Sequence, residues 1–182
     1  MNEEIKDYLH SLAKNTIAKA LDLPQEKLQK PPDSKILQEK RGVFVTLNLD
    51  LQLRGCIGYI MPIFPLEEAV KRNALNAAFD DPRFYPLTKE EFEYVKIEIS
   101  VLTVPKKLEY KNADDLLEKL RPNIDGVILR KDDHEATYLP QVWENLEDKD
   151  LFLGSLCTKA GMDYHEWEKG KLEVLTYQAE AF

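Results

Sequence analysis

The chain has 182 residues, 43% of them apolar and 32% charged, and its 33 acidic side chains against 25 basic ones leave a net charge of −8. That length suits a single domain with a sizeable core, and the acidic balance argues against a nucleic-acid-binding protein held by bulk charge, because phosphate contact needs a basic surface. No apolar run approaches the ~20 residues that span a bilayer, and no basic segment followed by an apolar one opens the chain, so the expectation is a soluble cytoplasmic protein without membrane contact.

Glu3 to Leu21 reads as a helix, with Ile5, Tyr8, Leu9, Leu12, Ile17 and Leu21 at the spacing of one buried face. Pro24 to Gln38 is polar, carries Pro31-Pro32 and reads as a loop with one helical turn around Glu26 to Gln29. Gly42 to Asn48 alternates as a strand, Asn48-Leu49-Asp50 suggests a turn, and Leu51 to Ile60 reads as the partner strand. Leu66 to Phe79 is an alanine-rich helix stopped by Asp80-Asp81-Pro82. Thr88 to Glu91 has the form of a capping box, with Leu87 and Phe92 placed for a hydrophobic staple.

Tyr94 to Val104 alternates cleanly, with Val95, Ile97, Ile99 and Val101 on one face. A short helix over Asn112 to Leu120 follows, then a hairpin of Gly126 to Arg130 and Ala136 to Leu139. Pro140 suits the first turn of a helix carrying Val142 and Trp143. Asp150 is placed to cap a helix holding Leu151, Leu153, Leu156, Cys157 and Ala160, closed by Gly161. Leu172 to Phe182 reads as a terminal strand. The sum is an α+β fold: a largely antiparallel sheet with helices packed on it.

Chemistry points first to Leu53-Arg54-Gly55-Cys56-Ile57-Gly58, where two of the seven glycines fall inside a strand. Glycine there marks a bulge, a bend or a close approach. In a regular strand Arg54, Cys56 and Gly58 share a face, so the Arg54 charge would favour a Cys56 thiolate and Gly58 would leave open space beside it. The alternative is a buried cysteine acting as a small apolar residue. Asp81 and Arg83 flank a proline and could line the same site. Tyr138 is either a wall residue with a useful hydroxyl or plain core. Cys157 reads as packing, His10, His134 and His165 show no metal-ligand spacing, and two distant cysteines make neither a disulfide framework nor a zinc site. No cofactor is expected, and no phosphate-binding glycine loop is present.

These residues carry a resemblance. Leu53-Arg54-Gly55-Cys56-Ile57-Gly58 resembles the signature of the AMMECR1-domain family, also called AmmeMemoRadiSam system protein A. Gly42-Val43-Phe44-Val45-Thr46-Leu47, Asp81-Pro82-Arg83-Phe84, Ile99-Ser100-Val101-Leu102, Asp125-Gly126-Val127, Ala136-Thr137-Tyr138-Leu139-Pro140 and Lys159-Ala160-Gly161 follow in the family's order. Gln52 and Gln141 depart from it. The resemblance implies one domain over residues 1–182 whose larger and smaller sub-domains form a cleft beside the signature strand. It also implies an association with Memo-like and radical-SAM proteins, but no reaction. Two functions remain open. One is an accessory module that binds a small ligand or a Memo-like partner beside Arg54, Gly55, Cys56 and Gly58, with Asp81, Arg83 and Tyr138 contributing. The other is an enzyme with Cys56 as nucleophile, Arg54 stabilising a thiolate or an anionic substrate, and Asp81 or Tyr138 assisting proton transfer.

Overall fold

The computed structural model describes residues 1–28 and 34–182; Gln29 of the expected helical turn and the Pro31-Pro32 pair lie outside the described residues. In chain order the elements are α1 (Glu3–Ala20), β1 (Val43–Leu49), β2 (Gln52–Tyr59), α2 (Leu66–Leu75), α3 (Lys89–Phe92), β3 (Lys96–Leu102), β4 (Lys106–Lys107), α4 (Ala113–Lys119), β5 (Gly126–Lys131), β6 (His134–Tyr138), α5 (Lys149–Lys159), β7 (Glu173–Tyr177) and β8 (Ala179–Ala181). Two compact units result: Met1–Leu102 with Glu180–Phe182, and Thr103–Ala179.

The first unit is built on a sheet of order β2-β1-β3-β8. The period-2 pattern puts Val43, Val45 and Leu47 of β1 and Ile97, Ile99 and Val101 of β3 on one face, where they are buried with Leu9 and Ile17 of α1 and Leu66, Ala69 and Ala74 of α2. Each large aliphatic side chain so buried contributes about 1.5–3 kcal/mol. α1 starts where expected, since the Asn2 side chain accepts the Ile5 N–H at 3.0 Å. α2 ends in a π-helical turn, Asn76–Asp80. The β1–β2 turn falls on Asp50 and Leu51 rather than one step earlier: Leu49 pairs with Gln52, and both turn residues take positive φ, 49° and 64°. A two-residue hairpin loop of this hand demands that conformation.

The second unit holds a sheet of order β4-β7-β5-β6. Trp143, in a 3-10 turn started by Pro140, stacks on Phe152 with centroids 3.5 Å apart, and its indole N–H donates to the Asp125 carbonyl at 2.7 Å. α5 is capped by Asp148 rather than Asp150: the Asp148 carboxylate accepts the N–H groups of Asp150 and Leu151. The helix therefore begins earlier than its sequence suggested, Phe152 turns inward, and Leu151 is exposed. The terminal segment, read as one strand, is two. β7 lies in the second unit's sheet and β8 in the first unit's sheet.

Tyr177 gives a first testable consequence. Its ring is buried, and its hydroxyl lies 3.1 Å from the Tyr138 carbonyl that accepts its proton and 2.9 Å from Thr137 Oγ1. Burial pushes the phenol up to about 12. A folded-state pKa raised above the unfolded value of ~10 stabilises the fold fully below that value, and the contribution is lost as pH rises through the folded pKa. Alkaline unfolding of the chain is therefore expected to steepen above about pH 10. Tyr177→Phe should flatten that part of the stability–pH curve, measured by urea titration at stepped pH; an unchanged slope would contradict the assignment.

Candidate functional site

The signature lies on β2, at the edge of the first sheet. The strand is not regular there. Leu47 pairs with Gly55 and Asn48 with Leu53, which leaves Arg54 as the extra residue of a β-bulge. A bulge re-aims the side chain it carries, so the alternation that would have put Arg54 beside Cys56 does not hold. Arg54 instead reaches a carboxylate 37 positions away: its Nε and Nη2 donate to the two oxygens of Glu91 at 2.8 and 2.9 Å. Nη2 also donates to the Tyr85 carbonyl at 2.9 Å.

Glu91 has a second task. It closes the expected capping box of α3, accepting the Thr88 N–H at 2.9 Å while its own N–H donates to Thr88 Oγ1 at 3.3 Å. The Arg54 guanidinium, foremost, holds the Glu91 carboxyl below its ordinary range. One glutamate thus ties the bulge of β2 to the start of α3.

Cys56 is held by its backbone. Its N–H donates to Asp81 Oδ2 at 2.8 Å, and its carbonyl accepts from Arg83 Nη2 at 3.2 Å. Asp81 is 4% exposed and in turn accepts Arg83 N–H and Nε on Oδ1 (3.1 and 3.0 Å) and Nη2 on Oδ2 (2.7 Å). The Arg83 guanidinium, with the Cys56 and Arg83 amides, keeps the Asp81 carboxyl far below the usual carboxylate range against its burial. An edge strand exposes unpaired N–H and C=O groups that recruit stray strands. Here a carboxylate and a guanidinium, fixed to each other across Pro82, take the place of the missing neighbour.

Cys56 is half-buried, and its sulfur accepts the Thr46 hydroxyl at 3.2 Å. Arg83 brings its guanidinium to this residue through the Cys56 carbonyl. Phe84 lies near both arginines, its ring centre 5.5 Å from the Arg83 Cζ and 5.8 Å from the Arg54 Cζ, within cation–π range. Both glycines serve close approach. A methyl group at Gly55 would overlap the Ala77 carbonyl in the π-helical turn, and one at Gly58 would enter the Phe44 ring and the Val43 carbonyl. The open space expected beside Cys56 at Gly58 is therefore occupied by Phe44.

Asp81 and Arg83 thus meet Cys56 at its backbone, and Arg54 binds Glu91. Tyr138 belongs to the second unit: its hydroxyl lies 2.9 Å from Ser155 Oγ, its ring packs edge-on against Phe152, and Lys159 Nζ stands 4.7 Å from the ring centre. His134 pairs through Nδ1 with the Ala160 carbonyl and His165 with Glu168. No group of three or more His, Cys, Asp or Glu among the described residues is arranged to hold a metal ion, and none of their helices is long and apolar enough to cross a membrane. Glu91, Thr46 and Phe84 were not singled out for the site from the sequence. Thr46 and Phe84 stood in segments that carry the family resemblance, and Glu91 in the capping box, a signal that spoke of the helix rather than of Arg54.

Comparison with known proteins agrees with the resemblance read from the signature. The AMMECR1 family profile matches residues 10–182. Protein MK0488 of Methanopyrus kandleri is 41% identical over 184 residues, covering 97% of this chain and 86% of its own. Protein NEQ441 of Nanoarchaeum equitans is 43% identical over 148 residues, covering 80% of this chain and 82% of its own. A crystal structure of uncharacterized protein PH0010 from Pyrococcus horikoshii superposes with a TM-score of 0.84 at 36% identity, covering 100% of this chain and 92% of that one.

Proposed function

The chain belongs to the AMMECR1 family, and from that premise we propose that it is a binding module without chemistry of its own, which docks a Memo-like partner protein on the face beside the signature strand. One observation carries the reading: the polar groups of the signature are engaged in holding the fold. Glu91 takes Arg54, and Asp81 takes both Arg83 and the Cys56 amide. A cysteine nucleophile is activated by a base that accepts its proton or by a positive charge at the sulfur. Here the Thr46 hydroxyl donates to the sulfur, and Asp81 faces the backbone amide.

The bonds that fix β2 leave an apolar rim in solvent. Leu51 and Tyr85 are each 90% exposed and Leu53 is 43% exposed, and Arg83 is half-exposed. Leu51 stands at the second position of the two-residue turn, whose left-handed conformation it shares with Asp50. A partner-binding module of this kind works in the cytoplasm with its partner.

Calorimetric titration against the cell's Memo-like protein tests the proposal. The Leu51→Asp/Tyr85→Ala double variant should weaken binding by about tenfold or more, as loss of central apolar anchors does, while Cys56→Ser should bind as the parent does. Equal binding by the double variant, or loss of binding with Cys56→Ser alone, would overturn it.

A further inference from the structure

α5 carries two hydroxyl side chains, and they behave differently. Thr158 turns back onto its own helix and donates to the Gly154 carbonyl at 3.1 Å, as a hydroxyl inside a helix commonly does. Ser155 turns away from the helix and meets the Tyr138 hydroxyl at 2.9 Å. One turn further along, Lys159 donates to the Thr137 carbonyl at 2.9 Å and holds its Nζ 4.7 Å from the centre of the Tyr138 ring. The end of β6 is itself fixed. Thr137 Oγ1 donates to the Val127 carbonyl, the Tyr138 carbonyl accepts the Tyr177 hydroxyl, and the Tyr138 ring packs edge-on against Phe152. Donors are left over. The Tyr138 and Ser155 hydroxyls bring one proton each, and their mutual bond uses one of them; among the described residues the other has no acceptor. The Lys159 ammonium has three N–H groups, gives one to Thr137, and has no carboxylate partner among the described residues. Tyr138 and Ser155 are half-buried and Lys159 is exposed, so the cluster opens to solvent at the ammonium.

We propose that Tyr138, Ser155 and Lys159 form a binding site, contained in the second unit, for the phosphoryl group of a small anion. One O–H and two N–H groups remain there, and a phosphoryl group brings three strong acceptor oxygens. A carboxylate brings only two, in one plane, the pattern that suits the fork of an arginine, whereas lysine meets phosphate as a point charge. The ammonium stands over the ring that carries the hydroxyl, so one such group reaches both. Side chains locked by packing and hydrogen bonds before the ligand arrives lose little on binding it. The pull is local, set against a net charge of −8, so affinity should be about millimolar and fall with salt.

The test is titration of the nitrogen-15-labelled intact chain, followed by amide NMR at constant ionic strength, with inorganic phosphate, glycerol 3-phosphate and acetate. The amide signals of Ser155 and Lys159 should shift saturably with inorganic phosphate or glycerol 3-phosphate, and the tighter of the two assigns free phosphate or a monoester as the source. Acetate should bind about tenfold more weakly. Lys159→Gln removes the charge at an exposed position, and Tyr138→Phe removes the hydroxyl while keeping the ring. Each should weaken binding about tenfold with circular dichroism unchanged. No saturable shift at Ser155 and Lys159, acetate binding as tightly as the phosphates, or either variant binding as the parent does would each overturn the proposal. Failure here leaves the Memo-like docking reading standing, because that reading is read out at Leu51 and Tyr85.

Discussion

Asp81→Ala is expected to destabilise the chain by about 3 kcal/mol, read as the shift of a urea transition followed by far-ultraviolet circular dichroism. The size follows from what the carboxylate holds. Asp81 is buried, and it accepts the Cys56 amide and three donors of Arg83. Its removal leaves the Cys56 N–H without a partner at the sheet edge and frees the arginine that covers the Cys56 carbonyl. Arg83 is itself half-exposed, so water recovers part of its loss, which keeps the figure at the lower end for a broken buried pair.

The same substitution should change the response to acid. The Asp81 carboxyl titrates below its ordinary value, so its contribution is complete above that value and is lost as pH falls below it. Glu166, lowered to about 2 by Lys131 and Lys169, gives the second unit the same sign. The parent should therefore lose stability progressively below about pH 4, and Asp81→Ala should lose less over that range. Parallel curves would mean that Asp81 is not the group being protonated.

Gly55→Val should cost about 3 kcal/mol or more, and its direction is informative. By strand propensity alone the change would stabilise, since valine favours strands and glycine weakens them. In the fold a Cβ at this position runs into the Ala77 carbonyl, which is backbone and cannot rotate away. Overpacking against a fixed group forces β2 and the π-helical turn apart. The measured transition midpoint decides between the two signs: a variant as stable as the parent would show that β2 does not press on the end of α2.

What could be read beforehand was local. The buried face of α1, the alternation of β3 and the capping box at Thr88 each rest on residues within a turn or two of one another, where periodicity and capping chemistry act. The bulge at Arg54 could not be read that way, because it is defined by the register against Leu47 and Asn48. The edge cover escaped for the same reason: Asp81 meets Cys56 across 25 positions. The glycines announced a close approach, but whether a ligand or the chain itself approaches is settled by Phe44 and Ala77. The division of the terminal segment between two sheets turns on the break at Gln178, which no strand pattern marks.

Amide hydrogen exchange at Cys56 tests most directly whether Asp81 and Arg83 stand in for a neighbouring strand. With no strand on that side, an uncovered amide exchanges by local fluctuation alone, whereas one bonded to a fixed partner waits for a larger opening. In the parent chain Cys56 should be protected to within about tenfold of Ile57, which pairs with Val45 inside the sheet; in Asp81→Ala that protection should vanish while Ile57 keeps its own. A Cys56 amide that exchanges freely in the parent, or that stays protected in the variant, would contradict the account.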